Sequence, residues 1–427
     1  MNGSNESAEQ LGPLVARPER VIADLQELAR LTGGPGGARR VCWTPDWLAA
    51  RAWLKGKLAE LPCQVETDEA GNLWAELSGG AARVVVVGSH IDSVPQGGWL
   101  DGALGVTAAL EMLRAYAEAG TAPPVTLRLV DWADEEGARF GRSLLGSSAA
   151  AGTLDLKQVR GLTDRDGVTL PDALAACGVR LDRMHEAGAR LTDVAAYLEL
   201  HIEQGPILEE QGVPLAAVLG TVGVERHAVT FRGRASHAGS TPMHLRRDAF
   251  LSAARFALEA REGARRHGAV ATCGAVSAEP GIVTAIAGAC TVSLDQRALD
   301  ADVLAAMLAE ARDSAERIAA EEGTTVAWEP LFQIAPIPFH PTLVGFAEEA
   351  GRAVAGAALR LPSGPLHDAA EMARRAPTAM MFVTSLDGIS HSPAEDTPID
   401  HLELAVRAFA ALTARTVAWV ASGSGSA

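Results

Sequence analysis

Four strand-like stretches of this 427-residue sequence end in residues of the types that can bind metals or move protons. The segments are GSHIDSV with His90, ADEEGARF with Glu135 and Glu136, LELHIEQGP with His201, and DGISHSPAE with His391. A further carboxylate, Asp101 in GGWLDGALGV, stands where a helix is predicted to begin. Histidine nitrogens and carboxylate oxygens form a mixed ligand set that suits zinc and also manganese, cobalt or nickel. The pattern predicts a site for two divalent metal ions, with one carboxylate bridging them.

The adjacent pair Glu135 and Glu136 indicates hydrolysis, because neighbouring loop residues point in different directions. One carboxylate can bind a metal while the other takes the proton of an activated water and delivers it to a leaving nitrogen. Amide or ureido hydrolysis is the natural reaction class. Taken alone, His90 could be a structural histidine, the glutamates a solvated turn, and Asp101 a helix N-cap. Their joint placement at strand ends favours the metal site.

The surrounding sequence predicts an α/β fold. The β-branched run 83–87, the helical pattern from Val106 to Leu113 and the run 125–130 form a βαβ unit. A parallel sheet covered on both faces is therefore expected for roughly the first two hundred residues. Such sheets place their sites beyond the carboxyl ends of their strands, which is where the candidate ligands occur.

A smaller α+β domain is predicted between about Val222 and Ile337. Its expected strands lie near 228–232, 269–276, 291–297 and 325–328, and its helices near 248–262 and 304–322. After Pro341 the helix and buried-strand pattern returns, with Ala379–Val383 as the last clear strand. The predicted organisation is a catalytic domain in two segments, 13–221 and 338–420, an inserted domain at 222–337, and flexible tails at 1–12 and 421–427.

Composition restricts the class of partner and the compartment. A formal net charge of −16 argues against a nucleic-acid or anionic-membrane surface, which needs clustered Lys and Arg. The five cysteines are scattered and form no CxxC pair, as expected of reduced thiols. The polar start MNGSNESAEQLGP lacks a secretory signal pattern, and no apolar run is judged long enough to span a membrane. A cytoplasmic protein is expected.

Eight motifs together resemble the hydantoinase/carbamoylase family of amidases, relatives of the aminoacylase and carboxypeptidase G metallopeptidases. They are GSHIDSVPQGG, LDGALGV, DEEGARFG, LHIEQGP, SHAGSTPM, LRRDA, LHDA and DGISHSPAE, in the family's order over nearly the whole chain. The resemblance implies an α/β fold: a phosphorylase/hydrolase-like two-metal catalytic domain with an inserted ferredoxin-like α+β lid and dimerisation domain. It also implies a homodimer that binds two divalent ions, zinc above all.

The resemblance assigns roles residue by residue. His90 and His201 would hold one metal, Glu136 and His391 the other, and Asp101 would bridge them, with Glu135 as general base. Asp92, two residues after His90, matches an acid that orients the first ligand, although a turn residue is the ordinary alternative.

The expected substrate contacts are less specific. His237 in SHAGSTPM resembles a histidine that stabilises the oxyanion from the smaller domain, often in the partner subunit, and is otherwise a solvated loop residue. Arg297 resembles an arginine that binds a substrate carboxylate, but it could instead pair with Asp295. The further expected substrate contacts are Gln204, Thr284, His367, which could equally support its loop, and Gly388.

Three departures from the family pattern fall on substrate-recognising surfaces. Thr284 stands where asparagine is common, Glu225 where glutamine is common, and SGPLHDA replaces SGAGHDA. The predicted reaction is hydrolysis of an N-carbamoyl-L-amino acid to carbon dioxide, ammonia and the amino acid. The alternatives are allantoate amidohydrolase, β-ureidopropionase, an N-acyl amino acid or dipeptide hydrolase, and a non-catalytic binding protein on the same scaffold.

Overall fold

The computed structural model describes residues 14–120 and 122–423. Its strands are β1 Gln64–Thr67, β2 Leu73–Leu77, β3 Val84–His90, β4 Thr126–Trp132, β5 Val194–Ile202, β6 Leu215–Thr221, β7 Gly223–Arg232, β8 Ser236–His237, β9 Val270–Thr272, β10 Val276–Glu279, β11 Ala285–Ile286, β12 Ala289–Ala298, β13 Thr325–Ile334, β14 Ile337–Pro338, β15 Leu359–Ser363 and β16 Thr378–Val383. Its α-helices are α1 Pro18–Thr32, α2 Pro45–Leu58, α3 Ala103–Glu118, α4 Leu145–Ala151, α5 Leu156–Val159, α6 Leu170–Ala176, α7 Ile207–Gln211, α8 Ala249–Arg266, α9 Ala301–Glu322, α10 Pro341–Ala355, α11 Asp368–Met372 and α12 Ile399–Ala421. Short 3-10 helices cover Leu181–Leu191, Met243–Leu245 and Leu386–Gly388.

The chain forms two units. The first reaches Leu219 and resumes at Phe339, and the second is Gly220–Pro338, so the second is inserted into the first along the sequence. The domain limits drawn from the sequence stay predictions. The predicted tail at 1–12 and residues 424–427 lie outside the described residues, whereas residue 421, the expected start of the second tail, still belongs to α12.

The sheet of the first unit has the order β1-β2-β4-β3-β5-β16-β6, and β15 also pairs with β6. Strands β4, β3, β5 and β16 run parallel, and α3 connects β3 to β4, as the βαβ pattern predicted. The parallel sheet expected from the sequence is confirmed at its centre, whereas the edges are antiparallel: β2 pairs antiparallel with β4 and β6 pairs antiparallel with β16. A parallel centre nevertheless brings the ends of four strands to one edge.

Burial explains the apolar sequences of the central elements. Every residue of β3 is buried, and α3 is buried from Ala103 to Tyr116, because helices cover both faces of a parallel sheet. The first unit thus has one continuous core, which includes Val85, Leu110, Leu198 and Phe409.

Helix α12 corrects one expectation from the sequence. Its 23 residues have a mean hydropathy of 1.4 over the most apolar window, so by length and composition alone it could cross a membrane. In the first unit it packs against α10, α1, β5 and β16 and buries Leu402, Phe409 and Val417. Its apolar composition is that of a core helix.

The second unit is an α+β sandwich with strand order β10-β12-β7-β13, to which β9 adds by pairing with β12. Burial alternates along β12 because α8 and α9 cover one face of this sheet. The strand predicted at 269–276 is two strands, β9 and β10. They are separated where the backbone N–H groups of Gly274 and Ala275 both donate to Ser293 Oγ instead of a regular ladder.

Candidate metal centre

The strand ends of the first unit carry the candidate ligands. His90 is the last residue of β3, His201 lies one residue before the end of β5, and Glu135 and Glu136 follow β4 closely. His391 comes from the loop between β16 and α12. Because β3, β4, β5 and β16 are parallel, these residues meet at one edge of the sheet.

Two groups of potential metal ligands share the carboxylate of Asp101. His90, Asp101 and His201 form one group and Asp101, Glu136 and His391 the other, each with ligand atoms within 4.8 Å of one another. The Oδ1 atom of Asp101 lies 3.2 Å from His201 Nε2 and 3.7 Å from His90 Nε2. Its Oδ2 atom lies 3.2 Å from His391 Nε2. Each oxygen of Asp101 therefore faces a different group, the arrangement that a bridging carboxylate requires.

The two adjacent glutamates point to different places. Glu136 Oε2 lies 3.4 Å from His391 Nε2, and its Oε1 accepts a hydrogen bond from the backbone N–H of Val94 at 3.2 Å. Glu135 Oε2 instead lies 3.7 Å from His90 Nε2, on the side of the other group. The pair thus offers one carboxylate among the ligands and a second beside them.

Burial and mutual repulsion perturb these groups when no cation is bound. Burial and the charge of Asp101 raise the pKa of Glu136 to about 8. Burial and the charge of Asp368 hold the pKa of Glu135 well above its usual range. Burial lowers the pKa of His201, but the nearby carboxylate of Asp101, 3.2 Å from Nε2, outweighs it and raises that pKa to about 9. Burial lowers the pKa of His90 to about 3, so its imidazole is neutral and can act as a ligand.

The residues fit a pair of divalent cations. Among the described residues, the buried Nε2 of His201 has no hydrogen-bond partner although it lies 3.2 Å from Asp101 Oδ1. Buried carboxylates that repel one another are stabilised by a positive charge between them. A third group, Glu199, His201 and His367, also has ligand spacing. Glu199 is a weaker ligand because its oxygens already accept bonds from Ser89, Tyr197 and the backbone of Ala369.

Asp92 connects the His90 loop to the glutamates. Its Oδ1 and Oδ2 accept hydrogen bonds from the backbone N–H groups of Glu135 and Glu136, each at 3.3 Å. His90 Nδ1 lies closer to the backbone carbonyl of Asp92, at 3.1 Å, than to its carboxylate, at 3.6 Å. The proton on Nδ1 therefore bonds to the carbonyl and leaves the Nε2 lone pair of His90 available to a metal.

Backbone conformations of low probability concentrate at this site. Asp134, Gln204 and His391 have φ values of 60°, 57° and 55°, in the left-handed region that non-glycine residues avoid. Gly102 has φ 62°, and a Cβ atom there would lie 2.3 Å from the His90 ring. Side chains at these positions are held in place by the surrounding structure, as is common in functional sites.

Two polar residues next to His391 were not predicted from the sequence. Ser390 Oγ donates to Glu395 Oε2 at 2.9 Å, and Glu395 Oε1 accepts from the backbone N–H groups of Leu100 and Asp101, each at 3.0 Å. Glu395 thus ties the loop that carries His391 to the segment that carries Asp101. Both residues lie in the motif DGISHSPAE, and their polar side chains so near His391 were the available signal.

Three expected substrate contacts of the first unit lie near the ligands. Gln204 Nε2 donates to Asp101 Oδ2 and to Ser390 Oγ, both at 3.0 Å. His367 is buried with its ring centroid 4.4 Å from that of His201. Gly388 packs at the backbone of Pro206, where a Cβ atom would lie 2.9 Å from the Pro206 nitrogen. Gly388 therefore allows the two loops to approach and offers no side chain to a substrate.

The remaining expected contacts belong to the second unit. His237, at the end of β8, is exposed, and its Nδ1 accepts hydrogen bonds from the backbone N–H groups of Gly239 and Ser240 at 3.1 and 3.2 Å. A neutral His237 therefore carries its proton on Nε2, where it can be donated. Thr284 is exposed, and its carbonyl accepts from the backbone of Ala238 at 2.8 Å.

Two charged residues of the second unit have partners within it. Arg297 Nε donates to Asp295 Oδ1 at 2.8 Å, which is the alternative left open by the sequence. Glu225, one of the departures from the family pattern, lies 2.9 Å from His227 Nε2 and accepts from Gln333 at 2.8 Å. Glu225 is thus held within its sheet. Arg297 would have to be shared with Asp295 to bind a substrate carboxylate.

Comparison with known proteins places these residues in a family context. The family model described as peptidase family M20/M25/M40 matches residues 86–415. An N-carbamoyl-L-amino acid amidohydrolase of Geobacillus stearothermophilus is 38% identical over 381 residues, which cover 88% of this chain and 93% of the relative. An allantoate amidohydrolase of Escherichia coli (strain K12) is 35% identical over 391 residues, covering 90% of this chain and 94% of the relative.

Solved structures show the same similarity. The crystal structure of an amidase of the hydantoinase/carbamoylase family from Burkholderia multivorans superposes with a TM-score of 0.84 at 33% sequence identity, covering 94% of this chain and 98% of that chain. The similarity therefore extends over both units of the chain.

Proposed function

The chain belongs to peptidase family M20/M25/M40, and from this premise we propose that it is a metal-dependent amidohydrolase that cleaves a C–N bond of an N-carbamoyl-L-amino acid. The resemblance to hydantoinase/carbamoylase amidases is confirmed by relatives and solved structures. The single observation that carries the proposal is the shared Asp101: two ligand groups meet on its two oxygens, with the additional carboxylate of Glu135 beside them.

Two divalent ions complete the proposed site. His90 and His201 would hold one ion, Glu136 and His391 the other, and Asp101 both. Bound there, the ions would lower the pKa of a water and polarise the carbonyl of the substrate. Zinc suits this mixture of nitrogen and oxygen ligands best, and manganese, cobalt or nickel also suit it.

Glu135 is the proposed general base. Its raised pKa, caused by burial and by the charge of Asp368, suits a group that must accept a proton and then release it. Glu135 takes a proton from the attacking water and delivers it to the leaving nitrogen. The carbamoyl carbon leaves as carbon dioxide and its amino group as ammonia, while the amino acid is released. Asp92 accepts hydrogen bonds from the backbone N–H groups of Glu135 and Glu136 and so fixes the positions of both glutamates.

The second unit supplies the proposed recognition of the oxyanion and of the substrate carboxylate. His237 donates through Nε2, the nitrogen left protonated by its backbone contacts. By the family resemblance, Arg297 and Thr284 of the second unit would recognise the carboxylate of the substrate. Gln204 and His367 of the first unit would be further substrate contacts. The proposal also includes a cytoplasmic location and a homodimer formed through the second unit, which would act as a lid and close over the substrate.

Allantoate hydrolysis is the second candidate, because an allantoate amidohydrolase is 35% identical over 90% of this chain. Both reactions release ammonia, whereas an acylase or dipeptidase releases an amine without it. The deciding experiment measures ammonia and free amine from N-carbamoyl-L-amino acids, β-ureidopropionate, allantoate, N-acyl amino acids and dipeptides. The protein is loaded separately with zinc, manganese and cobalt. Release of amine without ammonia would refute the ureido assignment. Absence of any product, from protein that holds both metals, would refute the assignment as a hydrolase.

A further inference from the structure

A recess opens beside Gln204 in the first unit, with a volume of about 260 Å³. Most of its walls are apolar: Pro206, Ile207, Leu361, Pro362, Pro365 and Phe382. Pockets that enclose a drug-sized ligand usually measure about 300–1,000 Å³, so this recess suits one substituent of a small molecule.

The polar residue Glu203 in the recess is already satisfied. Its Oε1 and Oε2 accept hydrogen bonds from the backbone N–H groups of Ile207 and Leu208 at 2.8 and 2.9 Å. These bonds cap the first turn of α7 and occupy the carboxylate. The recess therefore offers its occupant an apolar surface, and burial of apolar area is the main interaction available to it.

Gln204 places the recess next to the metal centre. Its side-chain amide donates to Asp101 Oδ2 at 3.0 Å, which orients Oε1 away from that carboxylate. Within the described part of the chain, this buried Oε1 accepts no hydrogen bond. A buried acceptor without a donor is costly, and a ureido N–H of a bound substrate would satisfy it.

Pro365, in the segment SGPLHDA, places its ring in the wall of the recess. The turn is fixed by Ser363 Oγ, which donates to the carbonyl of Pro365 at 2.8 Å. The same segment continues to His367, whose ring contacts that of His201.

We propose that this recess receives the side chain of the substrate and selects N-carbamoyl-L-amino acids with apolar side chains, such as leucine. The inference rests on the proposed hydrolysis of ureido compounds and extends it to the substituent next to the scissile bond. Allantoate carries a second polar ureido group in that place, and an apolar recess would leave that group without partners.

The test compares kcat/KM for N-carbamoyl-L-leucine, N-carbamoylglycine, N-carbamoyl-L-aspartate and allantoate, using zinc-loaded full-length protein. The value of kcat/KM for N-carbamoyl-L-leucine should exceed that for N-carbamoylglycine by about 10- to 100-fold, the usual effect of burying an aliphatic side chain. Ile207→Trp fills the recess and should be tolerated, because Ile207 is 39% exposed. The Ile207→Trp variant should lower kcat/KM for the leucine compound by at least about tenfold. It should change kcat/KM for the glycine compound by less than about threefold.

Two further variants complete the design. Leu361→Ala enlarges the recess and should shift the preference toward N-carbamoyl-L-phenylalanine. Leu31→Trp places the same bulk on an exposed leucine of α1 and should leave all rates unchanged. Three results would refute the proposed role of the recess without refuting ureido hydrolysis. They are equal kcat/KM for the leucine and glycine compounds, a preference for the aspartate compound or allantoate, and an equal loss of kcat/KM on all substrates in Ile207→Trp. Failure to hydrolyse any of these compounds with both metals bound would overturn the proposed function and the recess together.

Discussion

Asp92 Oδ2 accepts a hydrogen bond from the backbone N–H of Glu136 at 3.3 Å. The position of a proposed metal ligand is thereby linked to the loop that follows the strand of His90. The other oxygen, Oδ1, accepts from the backbone N–H of Glu135, so Asp92 holds the backbone of both glutamates that follow β4.

Replacing Asp92 with alanine should lower the affinity for metal by about 10- to 100-fold, the usual cost of removing a partner that orients a ligand. Asp92→Asn keeps an acceptor oxygen and should lose less of its affinity for metal. Competition with a chromogenic chelator measures the affinity, and Asp166→Ala, in an exposed loop, is the control. An unchanged affinity in Asp92→Ala would mean that the loop holds its shape without this carboxylate.

Glu135→Gln should reduce turnover by at least about 10²- to 10⁴-fold while two metals stay bound, because the amide cannot accept the proton of water. The measurements are kcat and metal content by mass spectrometry. Glu210→Gln, an exposed glutamate after the same domain's β5, should behave as wild type. Near-normal turnover in Glu135→Gln would assign the base to another residue.

His237→Ala should lower turnover by about 10²- to 10³-fold, which is the usual cost of removing one hydrogen-bond donor to an oxyanion. Its metal content should stay unchanged. The neighbouring exposed His244→Ala serves as the control. If His237→Ala instead released a metal ion, the residue would be a ligand, and its proposed place in catalysis would be wrong.

Metal removal should make stability depend on pH in a defined direction. In the folded chain without metal, burial and the charge of Asp101 raise the pKa of Glu136 to about 8 from its ordinary 4.5. The contact with Asp101 raises the pKa values of His201 and His391 to about 9 from the ordinary 6.5. The folded chain therefore holds protons that the unfolded chain releases, and its stability falls as pH rises. The melting temperature of chelated protein should fall between pH 6.5 and pH 8, the window shared by all three groups.

Metal-loaded protein is the comparison for this experiment. Its ligands bind the cation in their deprotonated forms, so higher pH favours binding and offsets the loss of stability. Thermal melts with EDTA and with zinc, at several pH values in that window, test the difference. Parallel slopes in the two forms would show that these three groups do not control the stability.

The sequence was sufficient for the parts of the site set by strand order. His90 and His201 lie at the ends of two parallel strands, and Glu136 closely follows a third. Period and apolar composition identify such strands in the sequence. The roles of Ser390 and Glu395 could not be predicted in this way, because they depend on hydrogen bonds to Gln204 and to the backbone of Leu100.

Contacts between distant positions also explain the remaining differences. The split of the strand at 269–276 depends on Ser293, which lies on the paired strand β12. The antiparallel edges of the first sheet depend on which strands become neighbours, and local composition carries no such information. The recess beside Gln204 is built from residues after β5, in and after β15, and in β16, which meet only in the folded unit.

The insertion of the second unit between His201 and His391 has a consequence for biosynthesis. A ribosome makes four of the five proposed ligands, and then the whole of Gly220–Pro338, before it reaches His391. Since chains begin to fold from the N-terminal side during synthesis, the first ligand group can assemble well before the second. A nascent chain could thus acquire one ion early, yet hydrolytic competence would await the synthesis of His391.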